Sequence, residues 1–258
     1  MSSLVLMIQF LTRYPIPLEI EFTAEHFVAG MRWMPLVGLL VGLPAALMLS
    51  LAEPLFGHGL ATLLALVVLI TVTGGLHLDG IGDTADGLFC YRPRERVLEI
   101  MRDSTLGTNG VVAVVMTILI KLVALNSLPL GGALAALLAA PVLGRTSTTW
   151  HAAFVGYARE QSGMGAFVSR VGLSQALPAT LMSLVLVLML LLAAGLGWQL
   201  VLLLTLLGHG ATIIVAVGFG RYLHHRIGGI TGDTIGATIE LTEMITFLLF
   251  LFAWKHLI

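Results

Sequence analysis

Three aspartates and a histidine lie within the eleven-residue stretch from His77 to Gly87, between long apolar segments. If the stretch is helical, Asp79, Asp83 and Asp86 share one face of the helix. Like charges on one face repel one another, and a divalent cation bound between them removes that repulsion. Because Mg²⁺ prefers carboxylate oxygens and then binds substrate phosphates, the spacing predicts a Mg²⁺ site. The alternative is a solvated acidic loop without a ligand.

Glycines interrupt the same stretch and suit a close approach. Gly80, Gly82 and Gly87 carry no side chain, so another backbone or a ligand can come near the helix at these positions. His77 begins the stretch. Its imidazole has three possible roles: it binds the metal or substrate, acts as a base, or makes a structural hydrogen bond at the end of an apolar segment.

A fourth carboxylate follows a short amphipathic segment. Asp103 is predicted to fold back toward the acidic stretch, and the alternative is a helix-terminal aspartate paired with Arg102 or Arg96. The predicted catalytic and metal-binding set is Asp79, Asp83, Asp86 and Asp103.

Two cations lie inside apolar segments. Burying Arg145 in a membrane span costs about 2.5–3.5 kcal/mol, so an arginine there normally lines a polar cavity. Hydroxyl residues surround it in the sequence. We therefore predict that Arg145 binds a substrate phosphate, and the alternative is a buried carboxylate partner. Lys121 is similarly placed, although it is long enough to reach a membrane interface.

The composition is that of a membrane protein. Of the 258 residues, 58% are hydrophobic and 10% are charged, and the mean hydropathy is +1.00. Such a chain has the lipid bilayer as the solvent for most of its surface. The formal net charge of −1 gives no reason to expect a nucleic acid as partner. The expectation is one all-α, polytopic membrane domain covering residues 1–258, and a homo-oligomer is left open.

About seven membrane spans follow from the apolar runs. They are predicted at about 33–52, 60–76, 111–128, 133–154, 176–196, 200–219 and 241–254. The run Leu4–Leu11 is too short to cross a bilayer and predicts an interfacial N-terminal helix. Polar loops are predicted at about 77–110, 155–174 and 220–240, and these would carry the catalytic residues.

The arginines predict the orientation. Those outside the apolar runs fall in alternate loops, whereas the loops near Glu53, Pro129 and Gly197 contain neither Lys nor Arg. By the positive-inside rule, the arginine-rich side is cytoplasmic. The acidic stretch would then face the cytoplasm from the cytoplasmic (inner) membrane.

A second polar cluster, near residue 232, repeats a tripeptide of the acidic stretch. Gly82-Asp83-Thr84 recurs as Gly232-Asp233-Thr234, and Glu240 follows. We expect Asp233, Thr234 and Glu240 to line the opposite wall of the site.

Carboxylates that face arginines on a membrane surface suit phosphoryl transfer. The sequence contains no P-loop, so the phosphate clamp is built differently. One alternative is a secondary transporter in which buried acids carry a cation or proton. Another is a non-catalytic membrane scaffold, which leaves the acid–arginine pattern unexplained.

Several motifs resemble those of the cobalamin synthase (adenosylcobinamide-GDP ribazoletransferase) family, which are integral membrane enzymes. They run nearly end to end: Phe10–Pro17, Thr73–Gly80, Gly82–Gly87, Glu99–Ser104, Leu106–Thr108, Tyr157–Glu160 and Thr231–Ala237 with Glu240. The resemblance implies a Mg²⁺-dependent step in which α-ribazole, or its 5′-phosphate, displaces GMP from adenosylcobinamide-GDP. Within these motifs, the candidate substrate-binding residues beyond the acids are His77, Arg102, Thr108 and Arg159, and Arg145 outside them joins the set.

Overall fold

The computed structural model describes residues 2–159 and 164–257, which are mostly helical, and residues 12–23 form a longer non-helical connection. The helices in these ranges are α1 (Ser2–Leu11), α2 (Ala24–Gly30), α3 (Met34–Phe56), α4 (His58–Thr73), α5 (Leu76–Leu88), α6 (Arg94–Ile100), α7 (Thr108–Asn126), α8 (Leu130–Phe154), α9 (Met164–Val168), α10 (Leu173–Ala193), α11 (Trp198–Ile227) and α12 (Gly232–His256). A single turn of 3₁₀ helix, Met31–Trp33, joins α2 to α3. The all-α prediction is confirmed.

In the described part of the chain, six helices are long and apolar enough to cross a bilayer. They are the continuous run 24–56, α7, α8, α10, α11 and α12. Helices α4 and α5 form a bent pair with an angle of 86° between them, and counting that pair as one crossing gives seven. The chain is therefore a multi-pass membrane protein, as its composition predicts.

The polar segments are more helical than the sequence pattern predicted. The first span begins at Ala24, where the Thr23 side chain caps the helix by accepting a hydrogen bond from the His26 N–H. Helix α11 continues to Ile227 and α12 already begins at Gly232, so the loop expected at about 220–240 is reduced to residues 228–231. Charged residues mark where helices leave the apolar layer, and helices do not have to end there.

Helix α8 lies at the centre of the bundle. Its most apolar window is 78% buried, whereas those of α7 and α10 are each 28% buried. Small residues allow the neighbouring helices to approach closely, as is common between membrane helices. A Cβ atom added at Gly42 of α3 would lie 2.6 Å from the Leu137 carbonyl oxygen of α8. Helix α12 packs directly on α8, and the acidic helix α5 packs in turn on α12.

Candidate active site

Two glycines turn the chain just before the acidic stretch. Gly74 ends α4 with φ of 64°, and Gly75 follows with φ of 73°. This left-handed region is readily accessible only to glycine. Helix α5 then leaves at 86° to α4, so it turns away from the direction of that helix instead of continuing it.

The acidic stretch is helical, and its aspartates lie on the more accessible side. Asp79 is exposed, and Asp83 and Asp86 are half-buried, whereas most of the intervening residues are buried. The helical prediction from the spacing of Asp79, Asp83 and Asp86 is confirmed.

The glycines of α5 lie where other elements press against it. A Cβ atom at Gly80 would lie 2.6 Å from the backbone oxygen of Asp233, which belongs to the first turn of α12. One at Gly82 would lie 2.8 Å from the Leu106 side chain, and one at Gly87 would lie 3.0 Å from the Met101 sulfur. The expected close approach is thus to protein on all three sides, and α5 is fixed between α6, α7 and α12.

Asp86 has a structural partner in the backbone. Its two carboxylate oxygens accept hydrogen bonds from the N–H groups of Gly107 at 2.7 Å and of Gly110 at 2.9 Å. These N–H groups lie at the start of α7, where a helix has unpaired donors and favours negative charge. Asp86 therefore fastens α7 to α5, and both of its oxygens already accept a hydrogen bond.

The expectation that Asp103 joins the acidic face is not met. Its Oδ1 accepts hydrogen bonds from the Thr105 N–H at 2.9 Å and the Thr105 hydroxyl at 2.6 Å. These two bonds lower the pKa of the Asp103 carboxyl below its usual value. A local Asx turn of this kind satisfies an aspartate within two residues. Arg102 and Thr108 lie exposed on the same connection.

Asp233 joins Asp79 and Asp83 instead, because two loops are paired at the start of α12. The Ala158 N–H donates to the Ile230 carbonyl at 2.8 Å, and the Ile230 N–H donates to the Gly156 carbonyl at 2.9 Å. This pairing brings the Arg159 guanidinium to 3.5 Å from the Asp233 carboxylate. The predicted residues Arg159 and Asp233 therefore form an ion pair beside the acidic face. Glu160, which follows in the same motif, lies outside the described residues.

Negative charge accumulates at Asp83. Partial burial, with the nearby carboxylates of Asp79, Asp233 and Asp86 next in order, raises its pKa to about 6, and Arg159 opposes this shift. A carboxyl that resists ionisation among other carboxylates is a place where a cation binds favourably.

The donors fit a metal that arrives with a phosphate. Among residues 2–159 and 164–257, no three His, Cys, Asp or Glu side chains are grouped closely enough to hold a metal ion. Mg²⁺ in such sites typically uses one or two carboxylates and completes its shell with substrate phosphates and water. Asp79 and Asp83, one helical turn apart, supply that minimal set. The described residues do not fit a metal cage made by protein alone.

Asp79 and Asp83 line an open cleft of about 470 Å³. Arg13 lines it too, held at the end of α4 by a 2.8 Å hydrogen bond from its backbone N–H to the Val72 carbonyl. Arg13 lies in the motif Phe10–Pro17, but the sequence analysis did not assign it to the site. The cleft thus brings two carboxylates together with a cation that suits a phosphate.

A separate set of charges is buried inside the bundle. The Lys121 ammonium donates to Glu240 at 2.6 Å and to Glu243 at 2.7 Å, and the Arg145 guanidinium donates to Glu243. All four side chains are almost fully buried. Two positive and two negative charges cancel, which removes most of the penalty of placing them in an apolar layer.

The predictions for Arg145 and Glu240 as substrate-binding residues are therefore not supported by the structure. Arg145 has the carboxylate partner that was its alternative, and the space beside the buried charges is only about 20 Å³. Thr234 also has a structural role: its hydroxyl accepts from the Thr231 N–H at 2.8 Å and caps α12. His77 touches this network, since its Nδ1 lies 3.2 Å from an Arg145 nitrogen.

These features define a multi-pass membrane protein with an acidic, arginine-containing cleft suited to phosphate chemistry. The family model described as cobalamin-5-phosphate synthase matches residues 3–251. A curated adenosylcobinamide-GDP ribazoletransferase from Acetivibrio thermocellus is 38% identical over 98% of this chain and 97% of its own. A relative of the same name from Clostridium novyi is 36% identical over 99% of this chain and 98% of its own. Another, from Escherichia coli, is 36% identical over 93% of this chain and 95% of its own. No solved structure matches the chain.

The chain belongs to the cobalamin-5-phosphate synthase family. It is an enzyme, a membrane transferase of cobalamin biosynthesis, as the family resemblance implied.

The buried charges generate a prediction about stability. Arg145→Met removes one cation and leaves Glu243 with Lys121 alone, so we expect a loss of about 3–5 kcal/mol in the free energy of unfolding. The measurement is thermal and denaturant unfolding of purified protein in detergent. Arg170→Met is the matched control, because its ion pair with Glu25 is exposed and should contribute less than about 1 kcal/mol. If Arg145→Met is as stable as wild type but has lost activity, the structural role is contradicted and phosphate binding by Arg145 is supported.

Proposed function

We propose that the protein transfers the adenosylcobinamide phosphate group from adenosylcobinamide-GDP to α-ribazole or its 5′-phosphate and releases GMP. The products are adenosylcobalamin or its 5′-phosphate. The substrates are those for which its relatives are named, and the chain shares more than a third of its residues with these relatives. The observation that carries the proposal is the cleft in which Asp79, Asp83 and Arg13 meet.

The proposed transfer forms one O–P bond and breaks another. A ribose hydroxyl of α-ribazole attacks the phosphorus that bears cobinamide, a new O–P bond forms, and the bridging P–O bond to the GMP phosphate breaks. The family description names a cobalamin 5-phosphate, so the attacking hydroxyl is not the one at the 5′ position. The electron pair of the broken bond leaves on the GMP phosphate, and the hydroxyl proton must be accepted by a base.

The residues of the cleft divide these tasks. Asp79 lies at the boundary between the open cleft and an apolar cavity, so its carboxylate is our candidate to accept the proton of the attacking hydroxyl. Arg13 balances the charge that develops on the departing GMP phosphate. Asp83 and one oxygen of Asp79 would hold Mg²⁺, which would neutralise charge on the phosphate oxygens, and the other oxygen of Asp79 would remain free to accept the proton. Arg159 keeps Asp233 beside this set.

The acidic cleft faces the cytoplasm from the inner membrane in this proposal. Its support is the distribution of arginines, since Arg13, Arg92, Arg94 and Arg102 lie on the side of α5, whereas the loops at Pro129 and Gly197 have none. Nucleotide substrates and Mg²⁺ are cytoplasmic, so this orientation gives the cleft direct access to them.

Buried acids also fit the transporter alternative, but the surroundings of Glu240 and Glu243 favour the enzyme. Both carboxylates accept hydrogen bonds from Lys121, and Arg145 donates to Glu243. The adjoining space of about 20 Å³ has room for a single water molecule. Charges that pair with one another around so small a space act as scaffold.

The proposed metal role predicts which aspartates matter for turnover. Asp79→Asn and Asp83→Asn should each lower GMP release at least about 100-fold, because metal-assisted charge stabilisation is worth several kcal/mol. EDTA should stop the wild type, and added Mg²⁺ should restore it. Asp103→Asn is the control and should retain turnover within about threefold of wild type, since a turn residue contributes little outside its turn. Full turnover of Asp83→Asn, or of wild type in EDTA, contradicts the metal role.

The proposed orientation is tested by thiol labelling of intact cells in a Cys90→Ser background. Gly131→Cys and Gly197→Cys introduce side chains with nothing within 4 Å of their Cβ atoms, so the fold should accept them. We expect a membrane-impermeant maleimide to label both from outside. Glu95→Cys, exposed on α6, should react only after the membrane is opened. The reverse pattern contradicts a cytoplasmic cleft.

A further inference from the structure

A partly open apolar cavity of about 200 Å³ adjoins the open cleft at Asp79. The N-terminal helices α1 and α2 form one wall, and the first turns of α12 form another. Asp79 and Asp233 are its acidic members, and Asp79 also lines the phosphate cleft. Nothing derived above for phosphoryl transfer uses this space.

The wall of the cavity suits a flat apolar ring. Phe10 and Phe27 line it and meet edge to face, with their ring centroids 6.2 Å apart. Met31, Ile235 and Ile239 add aliphatic surface. Pockets for drug-sized ligands usually have about 300–1,000 Å³, so this one accepts a bicyclic aromatic ring and excludes a corrin macrocycle.

The buried side chain of His77 forms part of the wall of this cavity. Its ring lies between the apolar cavity and the buried charges, since it lines the spaces on both sides. The Arg145 guanidinium has only donors, so Nδ1 of His77 must accept at the 3.2 Å contact between them. The ring proton is then on Nε2. In the described part of the chain this buried Nε2 has no hydrogen-bond partner.

A buried donor without a partner calls for an acceptor, because leaving it unpaired is unfavourable. A ligand that fits the cavity therefore needs a planar apolar ring, and it needs one hydrogen-bond acceptor atom at the edge of that ring. Among the substrates of the proposed reaction, the dimethylbenzimidazole base of α-ribazole meets both, since one ring nitrogen bears the sugar and the other has a free lone pair. Guanine is far more polar at its edge and would leave several groups unpaired in this cavity.

We propose that this cavity binds the heteroaromatic base of the nucleoside acceptor, with His77 Nε2–H donating to the unsubstituted ring nitrogen. The inference rests on the proposed function and adds the position of one substrate to it. The base then lies in the apolar cavity, the ribose reaches its mouth at Asp79, and the pyrophosphate lies in the open cleft beyond. The two substrates thus meet at one carboxylate from opposite sides. His77 is a binding and specificity-determining residue in this arrangement.

The test measures binding of the acceptor alone, without any corrinoid. Purified protein in lipid nanodiscs is titrated by calorimetry with α-ribazole and with the matching dimethylindole riboside, which has C–H in place of the acceptor nitrogen. We expect the indole compound to bind at least about tenfold more weakly, as for a site whose buried donor loses its partner. Equal affinity for the two compounds overturns the hydrogen bond to His77.

Two pairs of variants separate the cavity from the fold. Ile235→Trp fills the cavity from its half-buried wall and should weaken α-ribazole binding at least about tenfold, while Ile214→Trp, on an exposed surface of α11, should not. His77→Phe should bind both ribosides with equal affinity, and His77→Gln, which keeps a donor, should recover part of the preference. Wild-type affinity in Ile235→Trp overturns the proposal, as does electron density for a lipid chain in the cavity that α-ribazole does not displace.

Turnover assays distinguish a failure of the cavity assignment from a failure of the proposed reaction. If wild type releases GMP with α-ribazole but has the same KM for both ribosides, the cavity assignment fails and the reaction remains. If α-ribazole binds with the expected preference but no GMP is released from adenosylcobinamide-GDP, the reaction fails and the cavity assignment remains.

Discussion

Two cations and two carboxylates buried among apolar helices must neutralise one another, and that requirement fixes the arrangement of the site. Lys121 on α7, Arg145 on α8 and the glutamates of α12 hold three helices together. Arg145 also reaches His77 at the start of α5. The acidic helix is therefore attached to the buried charges at the centre of the bundle, although its Asp79 and Asp83 face an open cleft. Stability and substrate binding are assigned to different charges that share one histidine.

The position of α5 depends equally on residues that lack side chains. Gly74 and Gly75 supply the left-handed turn, and Gly80 allows the backbone of α12 to approach. This contact carries Asp233 to Asp79 and Asp83, so the second wall of the site begins at the N-terminus of a membrane span. A bent pair of helices, instead of a long loop, thereby places carboxylates at the edge of the apolar layer, where the phosphates of an amphiphilic substrate can reach them.

The sequence predicted what depends on periodicity and composition, and it failed where the partner of a charge decides its role. The all-α membrane fold and the shared face of Asp79, Asp83 and Asp86 follow from hydropathy and helical spacing. The cost of burying Arg145 was evident, but Glu243 as its partner was not, because the two are 98 residues apart. Asp103 and Asp86 were grouped by charge, whereas backbone N–H groups and Thr105 determine where their oxygens point. Arg13 lies in the motif Phe10–Pro17, but nothing in that motif indicates which cleft its side chain lines.

The most direct measurement of the role of α5 is electron paramagnetic resonance of Mn²⁺ in place of Mg²⁺, recorded with and without adenosylcobinamide-GDP. Two carboxylates alone make a weak site, so we expect tight Mn²⁺ binding only with the substrate, together with hyperfine coupling to its phosphorus nuclei. Asp79→Asn and Asp83→Asn should abolish this signal, and Asp103→Asn should keep it. If Asp79→Asn and Asp83→Asn still bind Mn²⁺ with unchanged affinity and with coupling to phosphorus, the assignment of the metal to the acidic face of α5 is contradicted.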